Sequence, residues 1–269
     1  MSTPRSQPSS GDRLSVVTAT ILLAYATSRF INFPSRTLEI QLPGLYLPAQ
    51  FNTNVVVLLL VAALTALGTE WLIRSHPAQK ERNTWQHWLL PALTAWVIGV
   101  PLFQLPPGAA WWLTFGLGGL LLFLVLAAEY IVVDPADGRR AIAVPALTAL
   151  AFALYLMLVV ALRQVEVRLF LLLIASVPTQ WLITLRSLHL RTGRWLFASS
   201  LVVIVIIGQY LSALHYLPLL PLTFGLALLG PAYALTILVG NLAEGTPFRQ
   251  AFWEPLFVLL LLWGIAYWV

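Results

Sequence analysis

The chain has 269 residues, of which 59% are hydrophobic and only 9% are charged, and its mean hydropathy is +0.86. This composition supplies too little polar surface to cover a water-soluble globule of this length. The sequence contains no cysteine, which excludes disulfides, thiolate nucleophiles and cysteine-ligated metals. The formal net charge is +5, but the distribution of the basic residues predicts a membrane topology and no nucleic-acid partner.

A transmembrane helix needs about 20 mostly apolar residues. Nine runs approach this length, at residues 14–33, 52–73, 87–104, 110–133, 141–162, 168–185, 195–216, 218–240 and 252–269. They predict an all-α fold, a polytopic transmembrane helical bundle of about nine spans. Residues 1–13 are expected to form a short disordered tail and residues 14–269 a single transmembrane domain. The first run is followed by Arg29, Phe30 and Pro34 rather than a small-residue cleavage site, so we expect it to stay as an anchor.

The Lys and Arg residues are distributed asymmetrically between the two sides of such a bundle. Eleven of the fifteen fall on the side of the N-terminus, which the positive-inside rule assigns to the cytoplasm. An odd number of spans then puts the C-terminus outside. Eight of these residues form a predicted basic rim that binds anionic lipid or a partner: Arg74, Lys80, Arg82, Arg139, Arg140, Arg186, Arg191 and Arg194.

A short phrase recurs near the ends of long apolar runs. Residues 69–73 read TEWLI, residues 179–183 read TQWLI, and residues 128–132 read AEYIV. The openings of the following segments also match, since residues 91–95 and 145–149 both read PALTA. These matches predict repeated two-helix hairpins at segments 2–3, 4–5 and 6–7, with a degenerate copy at 8–9 and one extra N-terminal helix.

The polar residue of this phrase is the main candidate functional feature. Glu70, Glu129, Gln180 and, in the degenerate copy, Asn241 occupy equivalent positions about one turn inside the predicted cytoplasmic ends. An ionisable group at membrane depth costs free energy, so it usually faces other helices, a partner or a wet cavity. We therefore predict a polar intramembrane cluster of these four residues. A simpler alternative is that each group reaches the interface or its own basic loop, as Glu70 can with Arg74 at i,i+4.

The connection at residues 34–51 contains three prolines and one glycine among apolar residues. This pattern predicts an extended segment that lies at the outer interface or folds back over the bundle.

Several of these stretches together resemble a known family. They are Leu42 to Leu45, Thr69 to Leu72, His76-Pro77, His87 to Trp96 and Ala128 to Tyr130. They are similar to a bacterial family of polytopic membrane proteins that is known only as a domain of unknown function. The resemblance implies a bacterial cytoplasmic (inner) membrane location and lends no activity, ligand or catalytic residue.

Three functional hypotheses follow from the sequence. The leading one is a non-catalytic scaffold or subunit of a membrane complex, with membrane lipids and other membrane-protein subunits as partners and without a cofactor or metal. The alternative is a transporter or lipid-handling protein with a cytoplasm-facing polar cavity around Glu129. The third is an enzyme on a lipid-linked substrate, with Glu129 as base and Asp134 or Asp137 holding a metal, although Asp-Pro and Asp-Gly are also ordinary turn sequences.

Overall fold

The computed structural model describes residues 10–28, 36–42, 45–51, 53–77 and 84–269. In these ranges the chain forms nine α-helices, which confirms the predicted all-α transmembrane fold class. The helices are α1 (Ser10–Ser28), α2 (Thr53–Arg74), α3 (Leu89–Gln104), α4 (Ala109–Val132), α5 (Arg140–Gln164), α6 (Leu169–Thr192), α7 (Phe197–His215), α8 (Pro221–Ala243) and α9 (Phe248–Trp268).

Eight helices of the described residues, α2 to α9, are long and apolar enough to cross a membrane. The first helix differs from the prediction because it begins at Ser10, inside the stretch expected to be a disordered tail, and carries Asp12 and Arg13 in its first turn. Helix α6 also departs from the predicted bounds. It continues beyond residue 185 to Thr192 and ends where Gly193 takes a left-handed conformation at φ 68°, which glycine adopts without a steric cost.

The chain divides into two compact units, residues 1–135 and 136–269. The boundary falls inside the predicted hairpin of segments 4 and 5, and the internal repeat stays a prediction. The assignment of residues 14–269 to a single transmembrane domain likewise stays a prediction.

Unit 1 is a ring of four helices. Helix α1 packs against α2 and α4, and α3 closes the ring by packing against the same two helices. Small residues permit the close approach, because a Cβ on Gly99 would lie 2.8 Å from the Tyr25 hydroxyl and one on Gly119 would lie 2.9 Å from Leu22 Cδ1. The Tyr25 hydroxyl also donates a hydrogen bond to the Ala95 carbonyl, which links α1 to α3.

A β-hairpin connects α1 to α2 in this unit. Strand β1 (Arg36–Leu42) pairs antiparallel with strand β2 (Leu45–Phe51), with Arg36 opposite Phe51 and Leu42 opposite Leu45. The backbone is thus extended over most of the segment for which the sequence predicts an extended conformation.

Unit 2 is built around α8, which packs against each of the other four helices of the unit. Phe224, Leu228 and Ala232 of α8 are completely buried. Gly225 sits where a Cβ would lie 2.7 Å from Val160 Cγ2 of α5, so close helix packing requires glycine there. The indole Nε1 of Trp263 donates to the Ala227 carbonyl at 3.1 Å and ties α9 to α8.

Large apolar side chains remain exposed on the outside of both units. Leu113 is 64% exposed and Phe257 is 68% exposed. Apolar exposure on this scale is expected of helices whose outer faces contact lipid.

Candidate functional site

A polar cluster occupies one end of unit 1. Helix α2 ends at Arg74 and helix α4 ends at Val132, and a 3-10 turn at Trp85–His87 lies immediately before α3. Glu70 and Glu129 are each about one turn inside their helix ends. The segment from Thr84 to Trp88 contacts both carboxylates and so joins them in one cluster.

Glu70 accepts hydrogen bonds on both carboxylate oxygens. Its Oε1 accepts from the Arg74 guanidinium, in agreement with the i,i+4 pairing expected from the sequence. Its Oε2 accepts from the Thr84 hydroxyl and from the Trp88 indole, the latter at 2.6 Å. The Glu70 side chain is 13% exposed, so the carboxylate anchors the segment before α3 to the end of α2.

Glu129 faces inward and is completely buried. Its Oε2 lies 2.7 Å from Nδ1 of His87, whose side chain is 7% exposed. A buried carboxyl group requires a hydrogen-bond partner, and the imidazole supplies one. The second ring nitrogen of His87 lies 3.3 Å from the Gln86 amide nitrogen.

Sequence reasoning missed His87 as a functional residue. His87 is not among the candidate residues predicted from the sequence, and 42 positions separate it from Glu129. The signal in the sequence was the Glu129 carboxylate. The loop after α4 has no arginine close to Glu129 in sequence, so an inward carboxylate needs a hydrogen-bond donor from another segment.

The recurring aromatic residues of the phrase have three different surroundings. Trp71 is 48% exposed and has the Arg13 guanidinium 5.5 Å from its ring centroid. Tyr130 packs edge-on against His76 with ring centroids 4.4 Å apart. The Trp181 indole donates to the Ser200 hydroxyl at 3.0 Å, which links α6 to α7.

Gln180 begins a directional hydrogen-bond chain inside unit 2. Its amide nitrogen donates to the Thr184 hydroxyl at 3.1 Å, and Thr184 lies 3.2 Å from the hydroxyl of Thr236 on α8. Thr236 in turn donates to the Ala232 carbonyl. Each hydroxyl has one proton, so donation runs from Gln180 towards α8. The Gln180 carbonyl oxygen at the head of the chain is buried without a partner.

Asn241 belongs to a different polar group at the end of α8. Its side-chain oxygen accepts from Arg191 Nη2 at 2.7 Å, and its amide nitrogen donates to the Ala251 carbonyl of α9 at 3.1 Å. Arg191 also forms a two-point pair with Glu244, with both N···O distances 3.0 Å. These bonds tie α6, α8 and α9 together.

Each of the four residues of the predicted cluster thus forms hydrogen bonds within its own unit. Glu70 and Glu129 share one cluster in unit 1. In unit 2, Gln180 and Asn241 belong to separate hydrogen-bonded groups, because Gln180 lies about 16 Å along α6 from the turn that carries Arg191.

Three arginines of the predicted basic rim form ion pairs, and a fourth is buried. Arg74, Arg139 and Arg191 pair with Glu70, Asp137 and Glu244 respectively. Arg186 differs from the prediction because it is 1% exposed. The physical reason is that α6 continues to Thr192, so this residue lies inside the helix and not in a loop.

The other two described positions of the predicted basic rim differ in their exposure to solvent. Arg194 is exposed and Arg140 is half-buried, whereas Lys80 and Arg82 lie outside the described residues. Asp137 accepts from the backbone N–H and the guanidinium of Arg139, as in an ordinary turn. In the part of the chain that the structure describes, no three His, Asp or Glu side chains gather in a metal-binding arrangement.

Comparison with known proteins agrees with the resemblance noted in the sequence. Neither the curated proteins nor the solved structures contain a match to this chain. Residues 33–269 match the family described as "Protein of unknown function (DUF5656)". Because this match covers most of the chain, the protein belongs to that family, whose members have no assigned activity.

Proposed function

We propose that this multi-pass membrane protein is a non-catalytic subunit of a membrane assembly, in which it serves as a fixed helical frame. One observation carries the proposal: polar side chains that stood out in the sequence form hydrogen bonds that join separate segments of their own unit. Glu70 accepts from three donors, Glu129 pairs with His87, and Asn241 bridges Arg191 to α9. Residues so engaged hold helices in place and have few groups left for substrate chemistry.

The second part of the proposal concerns the surface that contacts a lipid or a partner subunit. Arg194 is exposed at the end of α6, and its side chain has no partner in the described part of the chain. Its free guanidinium supports contact with an acidic surface, either an anionic lipid or an acidic partner subunit. The paired arginines of the rim contribute less to such a contact, because the charge of each is already balanced by an acidic side chain.

Cross-linking in intact membranes tests this proposal. A short amine-reactive or photo-reactive cross-linker, applied before any detergent, should convert the chain into discrete larger species on a denaturing gel. Arg194→Gln should reduce the yield of these species if this guanidinium contacts a partner, whereas Arg249→Gln, another exposed arginine of the same unit, should leave the yield unchanged. A chain that stays at its own mass under all conditions would contradict the subunit proposal.

A second candidate function is favoured by the Glu129–His87 pair. Two titratable groups in direct contact and out of water can pass or hold a proton, and such pairs are used in membrane proton pathways. Proton-coupled transport would require this pair to change protonation state. The test is proton uptake into proteoliposomes under a pH gradient and an opposing potential. Flux that Glu129→Gln abolishes and Glu254→Gln preserves would favour transport over the fixed frame.

A further inference from the structure

A pocket of about 540 Å³ lies in unit 2, where α5 ends and α6 begins. Its apolar wall includes Leu220, the residue before α8, and its polar lining comes from Arg163, Gln164, Glu166, Arg168 and His215. The pocket has the size of a typical small-molecule site, which is about 300–1,000 Å³. It does not include any residue of the predicted basic rim or of the polar clusters described above.

Arg163 is held in place by the neighbouring helix connection. Its Nη2 donates to the Leu217 carbonyl at 3.1 Å and its Nη1 donates to the His215 carbonyl at 3.4 Å. The guanidinium also lies 4.9 Å from the ring centroid of Phe224, which is completely buried. A guanidinium has five N–H donors, so these contacts fix its position and leave further donors for a ligand.

The other polar side chains around the pocket make no hydrogen bond or ion pair in the described part of the chain. The Arg168 and Glu166 side chains form neither a hydrogen bond nor an ion pair within the described part of the chain, and His215 Nδ1 is buried without a hydrogen bond. Glu166 has φ 49°, the only positive φ at a non-glycine residue in the ranges that the structure describes. Such strained residues concentrate at ligand sites.

We infer that this pocket binds the headgroup of an aminophospholipid. Two arginines on one pocket match a phosphate diester, because planar guanidinium groups bind phosphate oxygens through paired N–H donors. The Glu166 carboxylate provides a counter-charge for the ammonium group. The apolar wall and the position at the ends of candidate membrane spans place the acyl chains along the outside of the helices.

The inference is tested on the full-length protein in detergent by native mass spectrometry, with stepwise addition of short-chain phosphatidylethanolamine. Arg168→Gln should weaken binding about ten-fold or more, as expected for the loss of a charge-assisted hydrogen bond. The Arg168 side chain makes no described hydrogen bond or ion pair, and its carbonyl keeps its backbone bonds to Leu171 and Leu172, so this variant should fold normally. Arg249→Gln, an exposed arginine at the start of α9, is the matched control and should bind as the unchanged protein does.

Two further comparisons, with another phospholipid and with soluble phosphates, test the chemical class of the ligand. Phosphatidylglycerol should bind more weakly than phosphatidylethanolamine, and Glu166→Gln should remove that preference because it removes the counter-charge for the amine. Glycerophosphoethanolamine and inorganic phosphate, which have no acyl chains, should bind much more weakly than the lipid. Equal binding of the soluble phosphates would overturn the lipid assignment, and unchanged lipid binding by Arg168→Gln would overturn the site itself.

Discussion

His87 Nδ1 lies 2.7 Å from Glu129 Oε2, and the two side chains are 7% and 0% exposed. This contact joins the segment before α3 to the last turn of α4. Replacement of either residue by an apolar one removes this buried hydrogen bond. The contact therefore makes Glu129 a structural connection between helices, whatever further role the pair has.

Glu129→Leu is expected to lower the free energy of unfolding by about 1–3 kcal/mol, because it removes the buried hydrogen bond to His87. Glu129→Gln should cost less, because its amide oxygen can still accept a hydrogen bond from His87. Thermal unfolding of the purified protein in detergent measures both effects. Glu254→Gln, at an exposed acidic position of α9, is the control, and equal stability of Glu129→Leu and the unchanged protein would contradict the assigned role of the pair.

Asn241→Ala should destabilise unit 2 by about 1–2 kcal/mol, because it removes the hydrogen bonds to Arg191 and to the Ala251 carbonyl. Loss of the bond to Ala251 should also loosen the turn between α8 and α9. Limited proteolysis at residues 243–248 reports this change directly. Gln164→Ala, which removes an exposed amide, should leave the cleavage rate unaltered, and an equal increase in both variants would count against the connection.

Gln180→Leu is expected to be tolerated, with a change in unfolding free energy of less than about 1 kcal/mol. The substitution removes one donated bond to Thr184 but also removes a buried carbonyl oxygen that has no partner, and these effects oppose each other. Thr184→Val interrupts the chain to Thr236 and should be the more harmful of the two. The opposite order of stabilities, measured by denaturation in mixed detergent, would show that the Gln180 carbonyl has a partner.

Gly118→Ala should destabilise unit 1, because a Cβ at this position would collide with Ile98 of α3. Gly116 lies two residues earlier on the same helix, and a Cβ there would meet nothing within 4 Å. Gly116→Ala is therefore a matched control, and it should be neutral or slightly stabilising because alanine favours the helix more than glycine does. Similar losses in the two variants would contradict the close packing of α3 against α4.

The apolar runs were sufficient to predict the helices, because about 20 consecutive apolar residues have few other stable structures. Local spacing was also sufficient for the Glu70–Arg74 pair, which is four residues apart on one helix face. It was insufficient for Glu129 and His87, or for Asn241 and Arg191, because these partners meet only when separate helices pack. Arg186 was assigned to the rim since the apolar run ends before it, whereas packing carries α6 further and buries it.

Membership of a membrane assembly is the decisive property of the proposed fixed subunit, and native mass measurement after extraction in mild detergent tests it. The protein should emerge in a stoichiometric complex with other polypeptides. Asn241→Ala and Glu129→Leu should shift it towards the free chain, whereas Glu254→Gln should not. A single polypeptide of 29.8 kDa with bound lipid only, recovered from membranes at native abundance, would contradict the subunit role.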